Sequence, residues 1–322
     1  MVSVGGLFVL TSLLLPTAPV WLFVAAVIDG LTGRTLTRAG AFFLWYLAHS
    51  VVGVVATVVF WLWGGVLPSV GRARYMAWHH RLQHWWSGRL FQGLSVLFRL
   101  SLEVKGSLGS TSGPIVVLPR HVSTADTILP MVALAIPYAL DVRYILKREL
   151  LWDPCLDIVG QRLPNAFVRR GGIDSDGDRR RVHALTENLD DRSCIVLYPE
   201  GTRFTPARRQ RILERLAAKD DQERLDRARA LECLLPMRTG GLFTLLDAAP
   251  QADLVFMAHT GLEGITRMST LVDGTLLGRS LLVELRFVAA GDVPTEPGMR
   301  LQWMYEQWLA MDRWVAAHQP AE

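Results

Sequence analysis

The sequence predicts a layered α/β domain with a mixed central sheet flanked by helices, preceded by an N-terminal transmembrane helical hairpin. Three observations carry that reading. No charged side chain occurs from Met1 to Ile28. From Ala39 to Gly71 the only side chain that ionises near neutral pH is His49. Beyond residue 100, short apolar runs alternate with helical patterns, the signature of strands packed against helices. The boundaries drawn from these shifts are 1–70 for the hairpin, 71–100 for an interfacial amphipathic helical segment, and 101–322 for the α/β domain.

The two apolar stretches each exceed the ~20 residues that cross a hydrocarbon core. The first lacks the basic start of a cleaved signal and is longer than a signal's apolar run, so a retained helix is expected. Pro16 and Pro19 are expected to kink it or make it re-entrant. The joining loop, 29–38, carries Arg34 and Arg38. After the second stretch come Arg72, Arg74, Arg81, Arg89, Arg99 and Lys105, with no acid before Glu103. Six basic residues against two put the main domain on the cytoplasmic side, as an integral protein of a bacterial inner membrane.

Composition narrows the class further. Of 322 residues, 50% are hydrophobic and 20% charged, and the mean hydropathy is +0.24; a disordered chain is excluded. The net charge of +4 comes from an arginine-rich set in which only Lys105, Lys147 and Lys219 are lysines. Basic residues beside apolar segments suit an anionic bilayer surface, whereas no single basic stripe or motif fits nucleic acid. Cys155, Cys194 and Cys233 are too far apart for a metal motif, and their odd number argues against a disulfide framework.

Within 71–100, arginines and histidines mix with Trp78, Trp85, Trp86, Phe91 and Phe98. Such a helix either lies in the headgroup layer or packs on the domain's own core, and the sequence leaves both readings open. His79, His80 and His84 have no acidic companions, so no metal site is expected there. Further on, 115–118, 142–146, 166–169, 194–198, 253–258 and 281–288 read as strands. Helices are expected over 124–136, 179–189, 207–217, 240–248 and 301–316. The charged run 208–229 reads as a solvated helical excursion. The acidic run 174–178 lacks a glycine at the sixth place of a calcium loop and has Leu185 at the twelfth, so calcium is rejected.

Two constellations carry chemistry. In Pro119-Arg120-His121-Val122-Ser123-Thr124-Ala125-Asp126, a strand ends and a helix begins, which places His121 at a strand's carboxyl end, where open α/β sheets bind ligands. Inside one helix, His121 and Asp126 would not share a face. With His121 in the loop, Asp126 would accept one imidazole N–H and leave the other nitrogen to take a proton from a hydroxyl. In Tyr198-Pro199-Glu200-Gly201-Thr202-Arg203, a second loop after a strand presents an arginine whose planar fork suits a phosphate monoester. Glu200 there would either contact a substrate hydroxyl or hold Arg203.

Together these residues resemble the glycerolipid acyltransferases, the 1-acylglycerol-3-phosphate or lysophospholipid acyltransferase family (PlsC-like). His121 and Asp126 match its Asn-His-x4-Asp motif, with Arg120 where the family has Asn. Glu200, Gly201, Thr202 and Arg203 match Glu-Gly-Thr-Arg in full. Phe167 and Arg170 match Phe-x-x-Arg, and Leu235-Pro236 matches a Leu-Pro element ahead of a glycine-led helix. Lys147 lies in Lys-Arg-Glu-Leu, similar to the branch with lysocardiolipin acyltransferase-like enzymes. The likeness covers about 114–264 in the family's order. It implies acyl transfer from acyl-CoA or an acyl-carrier protein to the free hydroxyl of 1-acyl-sn-glycerol-3-phosphate, with no cofactor.

On this reading His121 and Asp126 are catalytic, and Arg170, Glu200, Gly201, Thr202, Arg203, Lys147 and Pro236 bind substrate. Direct attack with His121 as base is expected, because no Gly-x-Ser-x-Gly elbow surrounds any serine. Backbone N–H groups near the helix start are expected to meet the oxyanion. Other acceptors in the same class are lysocardiolipin, lysophosphatidylinositol or an amino-acid lyso-lipid. A membrane lipid hydrolase or a non-enzymatic scaffold are the readings of other classes.

Overall fold

The first two helices answer directly to the uncharged stretches. In the computed structural model, which describes residues 2–66, 70–109, 113–168, 176–219, 221–265 and 267–319, α1 covers Val2–Thr32 and α2 covers Leu36–Val66. Both are long and apolar enough to cross a membrane, and most of their surface is not covered by protein. The connecting loop is shorter than expected, 33–35 rather than 29–38. Its tightness comes from Asp29, whose carboxylate accepts from the Leu36 and Thr37 N–H groups, both at 2.8 Å, and so caps α2. The helix is unbroken at Pro16 and Pro19, correcting the expected re-entrant turn. In the turns around the prolines, the Thr17 hydroxyl and the Trp21 indole donate to the Leu13 and Leu14 carbonyls, adding side-chain hydrogen bonds where proline weakens the ladder.

Helix α3 (Arg72–Phe98) packs against α2 on one side and against the 130–135 segment on the other. Its contact with α2 is close because Gly93 admits the Trp45 ring: a Cβ there would lie 2.6 Å from it. The three histidines are engaged separately. His79 Nδ1 donates to the Tyr75 carbonyl at 2.9 Å, His84 Nε2 donates to the Leu140 carbonyl at 2.8 Å, and His80 faces Asp141 at 3.9 Å.

The α/β domain is built on seven strands: β1 (Ser101–Lys105), β2 (Ile115–Pro119), β3 (Asp141–Lys147), β4 (Ala166–Val168), β5 (Ser193–Val196), β6 (Asp253–Thr260) and β7 (Ser280–Val288). Their order is β1-β7-β6-β2-β5-β3-β4. All neighbours are parallel except β6 and β7, so the sheet is mixed. Strand β1 escapes the sequence pattern because it is a short, largely exposed edge whose only definition is its pairing with β7.

Side-chain alternation sends the central strands into two cores. Ile115 and Val117 join Val255 and Met257 under the 129–140 segment and α3. Val116 and Leu118 join Leu254 and Phe256 under α4 (Asp176–Ala184), α7 (Thr239–Ala248) and α8 (Pro297–His318). Each fully buried aliphatic or aromatic side chain contributes roughly 1.5–3 kcal/mol. The charged excursion resolves into two helices, α5 (Pro206–Ala217) and α6 (Gln222–Arg229).

The helix expected over 124–136 is instead a 3-10 turn (Ala125–Ile128) followed by a π-helical segment (Pro130–Ala135). Pro130 has no N–H to give the Asp126 carbonyl, and Leu129 N–H takes that carbonyl in the tighter pattern. Behind the sheet's carboxyl edge, Asp312 of α8 is buried and accepts from the Glu232, Cys233 and Leu234 N–H groups at 3.0, 2.8 and 2.8 Å. Trp308 donates to the Leu235 carbonyl at 3.0 Å, so α8 holds the 232–235 loop in place. Replacing Asp312 by Ala strands three donors, two of them buried, and the expected destabilisation is about 3 kcal/mol; an unfolding midpoint in detergent equal to that of the parent would refute this.

Candidate active site

Strands β6, β2 and β5 are adjacent and parallel, so their carboxyl ends open onto one edge at the sheet's centre. The Arg120–Asp126 loop leaves β2, the 197–205 loop leaves β5, and the 261–265 loop leaves β6. His121 sits in the first loop, not in a helix, and Asp126 is the second residue of the 3-10 turn. The turn brings Asp126 back beneath His121: Nδ1 lies 3.0 Å from Oδ1 and 3.3 Å from Oδ2. Asp126 also accepts from Val122 N–H at 2.6 Å and Ser123 N–H at 2.7 Å. A carboxylate so placed accepts only, so Nδ1 carries the proton and Nε2 of neutral His121 is left with its lone pair.

Those two N–H groups are therefore committed to Asp126. They do not serve as the oxyanion donors expected at the helix start. Ser123 is equally unavailable as a nucleophile: it is fully buried, its hydroxyl donates to the Ile265 carbonyl at 2.6 Å and accepts from Ala125 N–H at 3.0 Å. The imidazole of His121 is 12% exposed and rests on the Tyr198 ring, with centroids 4.6 Å apart. Tyr198 in turn donates to the Asp126 carbonyl at 3.2 Å.

The Glu-Gly-Thr-Arg loop divides by role. Glu200 is 2% exposed and accepts from His121 N–H at 2.8 Å and Leu235 N–H at 2.9 Å. It binds the histidine loop to the Leu-Pro loop, which corrects both roles expected for it, because a carboxylate committed to two buried N–H groups is turned away from substrate and from Arg203. Burial pushes its pKa up to about 8, against the two N–H bonds and the Arg120 charge that favour the carboxylate. Gly201 adopts φ +64°, and a Cβ there would lie 2.8 Å from the Arg238 side chain, so the turn needs glycine. Thr202 is half-buried beside it. Arg203 reaches across to the Thr124 hydroxyl, three residues past His121.

Of the remaining candidates, Lys147 ends β3, two strands along from β2, and Pro236 is half-buried on the loop that Glu200 holds. Arg170 lies outside the described residues; β4, which precedes it, is the edge strand three along from β2.

Arg120 is 0% exposed and points inward. It donates to the His259 carbonyl at 2.7 Å and the Cys233 carbonyl at 3.3 Å, and forms an ion pair with Glu263. Burial opposes ionisation of Glu263, but the Arg120 charge and hydrogen bond hold its pKa below the ordinary glutamate value. Sequence reasoning overlooked His259, Glu263 and Asp312. The one available signal was Arg120 itself: a charge between an apolar strand and the His121 loop requires a buried partner. Among the described residues no cluster of His, Cys, Asp and Glu could hold a metal ion.

Residues 101–258 match the family model described as Acyltransferase. These residues form an acyltransferase-family domain. Over 100 residues the chain is 30% identical to 1-acyl-sn-glycerol-3-phosphate acyltransferase epsilon of Mus musculus; the match covers 31% of this chain and 27% of that protein. The chain thus spans about a quarter of that relative's length. The crystal structure of the 1-acyl-sn-glycerophosphate (LPA) acyltransferase PlsC from Thermotoga maritima superposes with a TM-score of 0.51 at 13% identity, covering 84% of this chain and 98% of that one. At that identity the likeness is one of fold: a mixed sheet flanked by helices.

Raised above the ordinary 4.5, Glu200 adds to the acyltransferase domain's stability below about pH 4.5, and that contribution is lost as pH rises toward 8. Glu200→Gln, whatever its absolute stability, should flatten the fall in unfolding midpoint between those values. A Gln variant that tracks the parent's slope would remove Glu200 as its source.

Proposed function

We propose that the chain is a membrane-anchored O-acyltransferase that transfers a fatty acyl group from acyl-CoA or an acyl-carrier protein to the free hydroxyl of 1-acyl-sn-glycerol-3-phosphate, making phosphatidic acid. The observation that carries this is the contact of His121 Nδ1 with a buried Asp126, with Arg203 brought to the same loop. His121 Nε2 takes the hydroxyl proton as the oxygen attacks the thioester carbonyl. The new C–O bond forms, the C–S bond breaks, and the imidazolium returns its proton to the departing thiolate. Asp126 holds the tautomer and stabilises the imidazolium that forms. A thioester is already activated and a thiolate leaves readily, so this chemistry calls for no metal or prosthetic group.

The commitment of the Ser123 hydroxyl to Ile265 and Ala125 favours direct transfer over a hydrolase with a serine intermediate. Arg203 is assigned to the acceptor phosphate, with Arg170 and Lys147 proposed as further substrate-binding residues, and Gly201, Thr202 and Pro236 shaping the loops around it. The hairpin anchors the enzyme: α1 and α2 expose large apolar side chains such as Phe23, Val20 and Trp61, which lipid would cover. With Arg72, Arg74, Arg81 and Arg89 on the next helix, the positive-inside rule orients the catalytic domain to the cytoplasmic face of a bacterial inner membrane, and α3 would lie beside the headgroups.

His121→Ala should lower turnover by ~10²–10⁴ while the protein stays folded and in the membrane fraction; near-normal thiol release with added lysophosphatidate would end the mechanism. Arg203→Lys keeps the charge and loses the planar fork. It should raise the acceptor KM more than the donor KM, and an effect confined to the donor would move Arg203 to the thioester site.

A further inference from the structure

The peptide between Arg120 and His121 is gripped at both ends. Its N–H donates to Glu200 at 2.8 Å, and its carbonyl accepts from His259 Nε2 at 3.1 Å. A carbonyl can only accept, so Nε2 carries the proton and Nδ1 is the bare nitrogen. That Nδ1 is buried without a hydrogen-bond partner among the described residues, an arrangement that opposes stability. The preceding residues of β6, from Leu254 to Ala258, are all apolar and buried, so the imidazole is the polar exception next in line. What the histidine supplies in return is the Nε2–H bond, and the same atom lies 3.8 Å from Asp126 Oδ2.

The charged groups facing His259 are Asp126, Arg120 and Glu263. Burial, reinforced by Arg120 and opposed by the two carboxylates, pushes its pKa down to about 4. A neutral imidazole can hold the Arg120 carbonyl without forming an ion pair that competes with His121 for Asp126. The Arg120 side chain adds a second hold on the same strand, through the His259 carbonyl and Glu263. Both His259 and Glu263 lie beyond the 101–258 family match.

We infer that His259 is a positioning residue for the reaction proposed above: its Nε2–H locks the Arg120 carbonyl, and with it the backbone from which His121 projects onto Asp126. The inference rests on that reading for its kinetic arm only.

The test compares His259→Gln with His259→Asn in the full chain in detergent micelles. The amide nitrogen of Gln falls where Nε2 was, and that of Asn stops short, at the place of Nδ1. The Gln variant should recover most of kcat. The Asn variant should lose about 10- to 100-fold in kcat with both KM values unchanged, and the acid limb of its pH–rate profile should move. In ¹⁵N-histidine spectra, His121 (assigned by its loss in His121→Gln) should be a single Nδ1–H tautomer in the parent and the Gln variant, and a mixture in the Asn variant. The parent spectrum should also show His259 as the neutral Nε2–H form. Equal rates in the two variants, an unmoved His121 tautomer in Asn, or a cationic or Nδ1–H His259 in the parent would each overturn the inference. The spectra need no turnover: a parent that fails to acylate lysophosphatidate defeats the proposed function, while the tautomers still decide the role of His259.

Discussion

Everything at the sheet's central carboxyl edge depends on how one buried carboxylate is satisfied. Asp126 is removed from water, a position that is costly for a carboxylate unless donors surround it. Its donors are Val122 N–H, Ser123 N–H and His121 Nδ1. Two come from the backbone of the very loop that carries the histidine, so the loop's conformation and the imidazole's orientation are one constraint. The tight turn at Ala125–Ile128 follows, because only a chain doubling back at that point lets a side chain reach N–H groups three and four residues before it. Pro130 reinforces the turn by withholding the N–H that a regular helix would use.

Around this centre, charged side chains join loops instead of facing water. Glu200 joins the histidine loop to the 232–235 loop, Asp312 joins that loop to α8, and the ion pair of Arg120 and Glu263 joins the ends of β2 and β6. Loops lack the ladders that satisfy sheet backbone, so buried carboxylates and a guanidinium serve as their partners. Such an edge is preorganised: the His121 imidazole is already oriented by Asp126, and in the function proposed no reorientation would be needed as charge develops. The motif position usually occupied by asparagine therefore carries a different device here, a fully buried arginine balanced by an acid from another strand.

The hairpin is coupled to the same edge through contacts that are mostly polar at their ends. Thr35, in the turn between α1 and α2, donates through both its N–H and hydroxyl to the Val272 and Leu271 carbonyls. Tyr46 of α2 hydrogen-bonds Asp153, which also caps the segment after residue 154. In the function proposed, these ties would hold the sheet's open edge at a fixed height relative to the bilayer from which a lyso-lipid arrives.

Much of the architecture was legible locally. Uncharged runs identified α1 and α2, and continuous apolar runs identified the central strands because a strand covered on both faces has no polar side. The motifs placed His121 and Arg203 after strands, since strand, loop and helix succession is written in a few consecutive residues. The edge strand β1 was not legible, because Ser101–Lys105 is ordinary exposed chain until β7 pairs with it. Nor was the destination of Glu200, whose neighbours in sequence suggested a presented side chain while its two donors lie 79 and 35 residues away. Arg120 and Glu263 are 143 residues apart, and only the strand order that sets β6 beside β2 makes them a pair. Short stretches of sequence specify which residues are apolar, which loops follow strands and which chemical groups those loops carry. Tertiary structure decided which buried charges meet, because desolvation penalises a charge wherever it is buried and only three-dimensional proximity supplies the partner that offsets it.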